Sequence, residues 1–178
     1  MAITMRMLAL LTATLLVPTL SGCLLPDGDG GEPLSEQQLD DGRFDAKCEL
    51  LAGPVVYPND LARIDSALDD ATCARIDGNL TVRGDVTTLG KLEYLDELRI
   101  DGRVVVSNTS SWEDLKRLRA ITQVGSDFVV EQCEGLKSTA GLDRLRTVGG
   151  DFRVSQNPDL RMVEGPRRLH QIGSDLIV

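Results

Sequence analysis

The stretch VGGDFRV, Val148–Val154, decides how the rest of the chain is read. VGSDFVV begins 24 residues earlier at Val124, and IGSDLIV begins 24 residues later at Ile172. IDGNLTV from Ile76 and IDGRVVV from Ile100 extend the series to five phrases at the same step. A repeat of roughly 20–50 residues is the mark of a solenoid, where each unit buries its apolar side only by stacking on its neighbours. A step constant to the residue means that every turn has the same path length.

The columns of this alignment predict which side chains are inside. Leu80, Val104, Phe128, Phe152 and Leu176 share one position, and Val82, Val106, Val130, Val154 and Val178 share the position two residues on. Alternate residues of a strand face the same side, so both columns point inward. Stacked strands lie roughly 4.8 Å apart, so five turns build a short parallel sheet. Gly78, Gly102, Ser126, Gly150 and Ser174 precede the strands, where a larger side chain would obstruct a tight bend. The return path carries Leu92, Leu95 and Leu98, then Leu115, Leu118 and Ile121, then Leu142 and Leu145. Three residues past the second inward column stand Asp85, Thr109, Cys133 and Asn157, in the L-x-L-x-x-N/C pattern of leucine-rich repeats. Such side chains turn into the coil and bond loop backbone groups that would otherwise be buried unpaired. Cys133 reads as one member of this ladder; no adjoining His or basic residue activates it as a thiol.

The outward positions form two further columns. One holds Asn79, Arg103, Asp127, Asp151 and Asp175; the next holds Thr81, Val105, Val129, Arg153 and Ile177. Three aspartates on successive turns repel unless solvated, hydrogen-bonded or paired with a cation. Either each carboxylate caps amides of its own turn, the reading preferred here, or the row holds calcium. Val105, Val129 and Ile177 are either a contact stripe or an expression of β-propensity.

The 178-residue chain carries a formal net charge of -9 and only 3% aromatic residues, so its core is aliphatic. That charge disfavours nucleic acid and anionic lipid as partners. Residues 1–22 read as an export signal: Arg6, an apolar run from Leu8 to Leu20, then Leu20-Ser21-Gly22-Cys23. LSGC resembles a bacterial lipoprotein signal, which implies cleavage before Cys23, a lipid thioether on its sulfur and firm membrane anchoring by several acyl chains. Export also permits disulfides. Residues 23–47, rich in Gly, Pro and acids, read as a flexible acidic linker. NDLARIDSALDD, 59–70, predicts a short amphipathic helix with Leu61, Ile64 and Leu68 on one face and Asn59 or Asp60 as its cap. Asp69 and Asp70 oppose its macrodipole, so it depends on tertiary packing.

From Cys73-x-x-Ile76-x-Gly78-x-Leu80-x-Val82 to the V-G-G-D-F-x-V phrase, residues 48–178 resemble the receptor L domain. That resemblance implies a right-handed β-helix, leucine-rich-repeat-like, here with 24-residue turns. It also implies an N-terminal capping helix tied by a disulfide, for which Cys48 and Cys73 flank the helix. Closing a loop of about 25 residues contributes roughly 3 kcal/mol in the chain-entropy account. The chain lacks a second such domain, a Cys-rich module and a kinase, so growth-factor signalling does not carry over. The chain stops at Val178 on an inward column, whereas solenoid ends normally carry polar caps. The expectation is a fragmentary chain, or an end covered by a partner or by self-association.

No nucleophile motif, phosphate loop or metal-ligand cluster is present, and His170 is the single histidine, so no enzyme activity, metal or cofactor is expected. The expected function is a lipid-anchored binding module of the bacterial envelope, at the outer membrane or cell surface. It presents its sheet face to a protein or glycan through Arg103, Val105, Asp127, Val129, Asp151, Arg153, Asp175 and Ile177. The alternative is a structural, self-assembling envelope lipoprotein without a soluble ligand.

Overall fold

The computed structural model describes residues 48–178. The export signal, Cys23 and the acidic linker lie outside the described residues. Each repeat phrase makes two strands that meet at a bend, so each turn gives one strand to each of two sheets. The strands are β1 (Cys48–Ala52), β2 (Val55–Tyr57), β3 (Cys73–Asp77), β4 (Leu80–Arg83), β5 (Glu97–Ile100) and β6 (Val104–Ser107). They continue as β7 (Ile121–Val124), β8 (Phe128–Glu131), β9 (Thr147–Val148), β10 (Phe152–Ser155), β11 (Gln171–Ile172) and β12 (Leu176–Ile177). The first sheet runs β1-β3-β5-β7-β9-β11 and the second β2-β4-β6-β8-β10-β12. Every pairing is parallel, and the arrangement is solenoid-like.

One expectation is corrected here. The single five-stranded sheet is instead two six-stranded sheets. The apolar residues before the bend, Ile76, Ile100, Val124 and Val148, are buried strand residues of the additional sheet. The sixth turn comes from LAGPVVY, Leu51–Tyr57, which pairs Leu51 with Ile76 and Val55 with Leu80. Its offset is 25 residues, so alignment at a strict 24 passes over it.

The core fills the space between the sheets and the leucine-bearing return arcs. Leu80, Val104, Phe128 and Phe152 are at most 3% exposed, and Val82, Val106, Val130 and Val154 at most 2%. Each such side chain stabilises by about 1.5–3 kcal/mol relative to exposure. The Phe128 and Phe152 rings stack with centroids 5.2 Å apart, one coil above the other. Leu92, Leu95, Leu115, Leu118, Leu142 and Leu145 close the arcs from within. Short 3-10 turns at Gly90–Tyr94 and Lys116–Leu118 carry two of them, Leu92 and Leu118. Trp112 is buried and donates its Nε1–H to the Val86 carbonyl at 2.6 Å.

Helix α1 (Leu61–Ala67) is shorter than the sequence predicts. Ile64 and Leu68 are buried and Leu61 packs against the core. Asp60 does not cap it with its side chain. Its carboxylate accepts the Val56 amide at 2.7 Å and the Arg63 guanidinium at 3.1 Å. The acids at the far end are held tertiarily: Lys91 donates Nζ to Asp69 at 2.6 Å, and its amide bonds Asp65 at 2.7 Å. A Cys48–Cys73 disulfide joins β1 to β3 at directly opposed positions.

The bend fixes the coil pitch. Gly125, Gly149 and Gly173 donate their amides to Ile100, Val124 and Val148 of the preceding coil at 2.8–2.9 Å. A Cβ on Gly149 would run into the Gly125 carbonyl, and one on Gly173 into the Gly149 carbonyl. In the later coils the stringent position is therefore one residue before the expected one, and Ser126 and Ser174 accommodate side chains beside it. At the far end of the second sheet the chain leaves through a left-handed residue: Gly84, then Asn108, Gln132 and Gln156 at φ of 55–56°. Only the first of these is glycine, so the later coils hold a strained conformation by packing.

Gly149→Ala is expected to destabilise by about 2–3 kcal/mol, the cost of an overpacked core site. Gly165→Ala, whose Cβ meets nothing within 4 Å, is expected to be neutral or slightly stabilising. Urea unfolding of both variants checks the contrast.

Candidate functional site

The second sheet presents the predicted outward columns in register. Thr81, Val105, Val129, Arg153 and Ile177 are direct cross-strand neighbours. Val105 and Val129 are half-buried, Arg153 is exposed and Ile177 is 39% exposed. The corresponding column of the first sheet reads Arg75, Arg99, Gln123, Thr147 and Gln171. Identical backbone geometry thus carries polar side chains on one face and an aliphatic centre on the other. Leu50, opposite Arg75 at the edge and 63% exposed, is the exception.

The acidic row beside the valines is hydrogen-bonded from coil to coil. The Asn79 side-chain oxygen accepts the Arg103 amide at 2.8 Å. Asp127 accepts the Asp151 amide at 3.1 Å, and Asp151 the Asp175 amide at 3.2 Å. The capped amide belongs to the next turn, not to the carboxylate's own turn as expected. The second oxygens bind cations of the protein: Arg103 pairs with Asp127 at 2.8 Å and Arg153 with Asp151 at 3.1 Å. The Asp151 amide, then the Arg103 guanidinium, hold the Asp127 carboxyl below the usual carboxylate range.

The inner ladder is divided. Thr109 and Cys133 are 1% exposed. Asn157 accepts the Cys133 amide at 2.9 Å and donates to the Val130 carbonyl at 3.2 Å. Burial pushes the Cys133 thiol up, opposite to what a reactive cysteine requires. Asp85 departs from the expectation: it is exposed, and its carboxylate accepts both the amide and the hydroxyl of Ser110, at 2.9 and 2.6 Å. Val86 is the buried residue of that coil, because a carboxylate in the dry interior would need a partner the coil does not offer.

Three features outside the sheet face complete the surface. Leu176 and Val178, expected to point inward, are exposed and border an apolar groove of about 440 Å³ with Val163 and Leu169. His170 is exposed, its Nδ1 within 3.1 Å of the Arg168 carbonyl oxygen. Among the described residues no three His, Cys, Asp or Glu converge as a metal site. The feature that sequence reasoning missed is basic. A groove of about 700 Å³ on the return arcs is lined by Lys116, Arg119, Arg144, Arg167 and Arg168. A sequence signal for it exists: Arg-Leu-Arg at 117–119 and 144–146, then Arg-Leu-His at 168–170. Each triplet is too short to register as a basic run, and only coil stacking brings them together.

No family model, curated protein or solved structure matches the chain.

The Asn79 amide performs the same backbone capping as Asp127 without charge. Asp127→Asn is therefore expected to fold with near wild-type stability at pH 7, while Asp127→Ala loses about 1 kcal/mol with the bond. Asp127 has a lowered folded pKa, so its contribution is complete above the ordinary aspartate value of about 4. It is lost as pH falls from there through the folded value. Stability measured from pH 6 to pH 2 is expected to fall less steeply for Asp127→Asn.

Proposed function

We propose that this chain is a non-enzymatic binding module, lipid-anchored through Cys23 in the bacterial envelope. Its outer membrane or cell-surface location follows from the same lipoprotein-like signal. In this reading residues 48–178 form a right-handed, leucine-rich-repeat-like β-helix of the receptor L domain kind. The outer face of the second sheet is offered to a protein or glycan. The parallel 24-residue coils, the Cys48–Cys73 disulfide and the helix between those cysteines support the architectural part.

The observation that carries the functional part is the contrast between the two sheet faces. On the second sheet Val105 and Val129 lie side by side, flanked by the fixed Arg103–Asp127 and Arg153–Asp151 pairs. An aliphatic centre with a polar rim is the composition of a protein-binding patch. β-Propensity alone does not account for it, since the first sheet meets the same demand with Thr147, Gln123 and two arginines. The ion-paired guanidiniums and carboxylates would orient a polar ligand. The single exposed histidine, and the involvement of the row's carboxylates in backbone bonds, support a role without catalysis.

Two measurements test this. Cys23→Ala is expected to move the protein from the membrane to the soluble fraction; retention in the membrane would count against the anchor. Immobilised protein is to be screened on a glycan array and against purified surface proteins. Val105→Glu/Val129→Glu is expected to weaken the captured ligand at least tenfold, with melting temperature held within a few degrees. Equal weakening by Arg75→Glu/Gln123→Glu on the first sheet, or self-association as the only event seen, would sink the sheet-face reading.

A further inference from the structure

The basic groove on the return arcs calls for its own account, since it sits on a chain of net charge -9 and apart from either sheet. Its cations come from three successive coils: Lys116 and Arg119, then Arg144, then Arg167 and Arg168. Coil stacking at roughly 4.8 Å brings Arg144 and Arg168, 24 residues apart, onto neighbouring rungs. Like charges on neighbouring rungs repel, and although Asp143 lies beside them and Asp96 and Glu97 border the adjoining groove, neither Arg144 nor Arg168 makes an ion pair among the described residues. Arg119 donates to the Glu93 carbonyl at 3.1 Å and Arg144 to the Asp96 carbonyl at 2.5 Å. These acceptors are neutral: they orient each guanidinium and leave its charge uncompensated. Arg167 and Arg168 make no ion pair among the described residues. Lys116 alone is neutralised, by Asp114 at 2.7 Å. Asp143 and Glu164 also border the groove, leaving cations in the majority.

We infer that this groove is an anion site for a ligand carrying clustered phosphate groups. Guanidinium forks suit phosphate, because their paired N–H donors match two of its oxygens, and a multiply charged ligand can engage several arginines at once. The carbonyl contacts of Arg119 and Arg144 hold two of the forks before the ligand arrives, which lowers the ordering cost of binding. A long nucleic acid is the wrong shape: beyond the groove it would meet the acidic remainder of the surface. The ligand chemistry is a compact oligophosphate, either a soluble phosphate ester or the headgroup of a phospholipid. This reading is independent of the sheet-face proposal and uses none of its residues.

The test uses the full chain carrying Cys23→Ala, so that no acyl chain contributes. Inorganic tripolyphosphate is titrated calorimetrically at 50 and 200 mM NaCl. Binding is expected at low salt and to weaken about tenfold at the higher salt, as for any contact dominated by charge. Arg144→Gln/Arg168→Gln is expected to lose tenfold or more in affinity. Arg83→Gln/Arg161→Gln removes the same charge elsewhere and is expected to bind like the parent. Thermal melts of both variants check that the fold is kept. Absence of tripolyphosphate binding at 50 mM NaCl, or equal loss in the two double variants, would overturn the site. Co-sedimentation with phosphatidylglycerol vesicles, against phosphatidylcholine vesicles, separates the sources. Vesicle binding lost in Arg144→Gln/Arg168→Gln assigns a headgroup, and tripolyphosphate binding without vesicle binding assigns a soluble phosphate ester.

Discussion

The amide-to-carbonyl contact at each bend governs this molecule. Gly149 lies directly over the Gly125 carbonyl, and Gly173 over that of Gly149, with no room for a Cβ between them. The same bends carry the bonds from Gly149 to Val124 and from Gly173 to Val148. Backbone groups in the corner are thus paired where a loose turn would bury them unpaired. With the corners locked, both strands of a coil are forced into register with both strands of the next. The aliphatic columns and the stacked Phe128 and Phe152 rings follow from that register.

A coil locked at its corners repeats its outside as faithfully as its inside, which makes the surface a set of parallel stripes. The acidic row becomes a chain in which Asp127 and Asp151 each accept an amide from the next coil and each close an arginine pair. The second sheet becomes aliphatic at its centre and the first stays polar. The return arcs collect arginines. Each stripe has its own chemistry, so one small domain can offer an apolar patch with a charged rim on one side and a cationic groove elsewhere. The same regularity sets limits: a residue that serves in one coil, such as Cys133 at the inner ladder, is replaced by another of the same packing size in the next, Thr109.

Much of this was legible in the primary sequence because a solenoid makes sequence periodicity and spatial neighbourhood the same thing. The inward columns as far as Val154, the outward columns and the small residues near the bend could be placed by counting in steps of 24, and the helix by the spacing of Leu61, Ile64 and Leu68; Leu176 and Val178, expected to point inward, are exposed. Counting failed where the step itself changed or where a residue left its column. The turn at Leu51–Tyr57 arrives at an offset of 25 and carries Pro54 in place of the outward polar residue. Asp85 keeps the ladder position in sequence but lies outside, with Val86 buried instead. The first sheet was missed because only the residues after each bend were assigned to a strand.

By itself the sequence determined the length of the coil and which side chains line its interior, because apolar residues at a fixed step have one economical way to leave water together. Tertiary structure alone decided how the coil's outside is partitioned: one strand or two per turn, which carboxylate meets which amide, and which arginines share a groove. Those outcomes depend on where the backbone bends and how far long side chains reach across neighbouring coils. Arg144 reaches the Asp96 carbonyl, 48 residues back along the chain, a contact that local spacing does not encode.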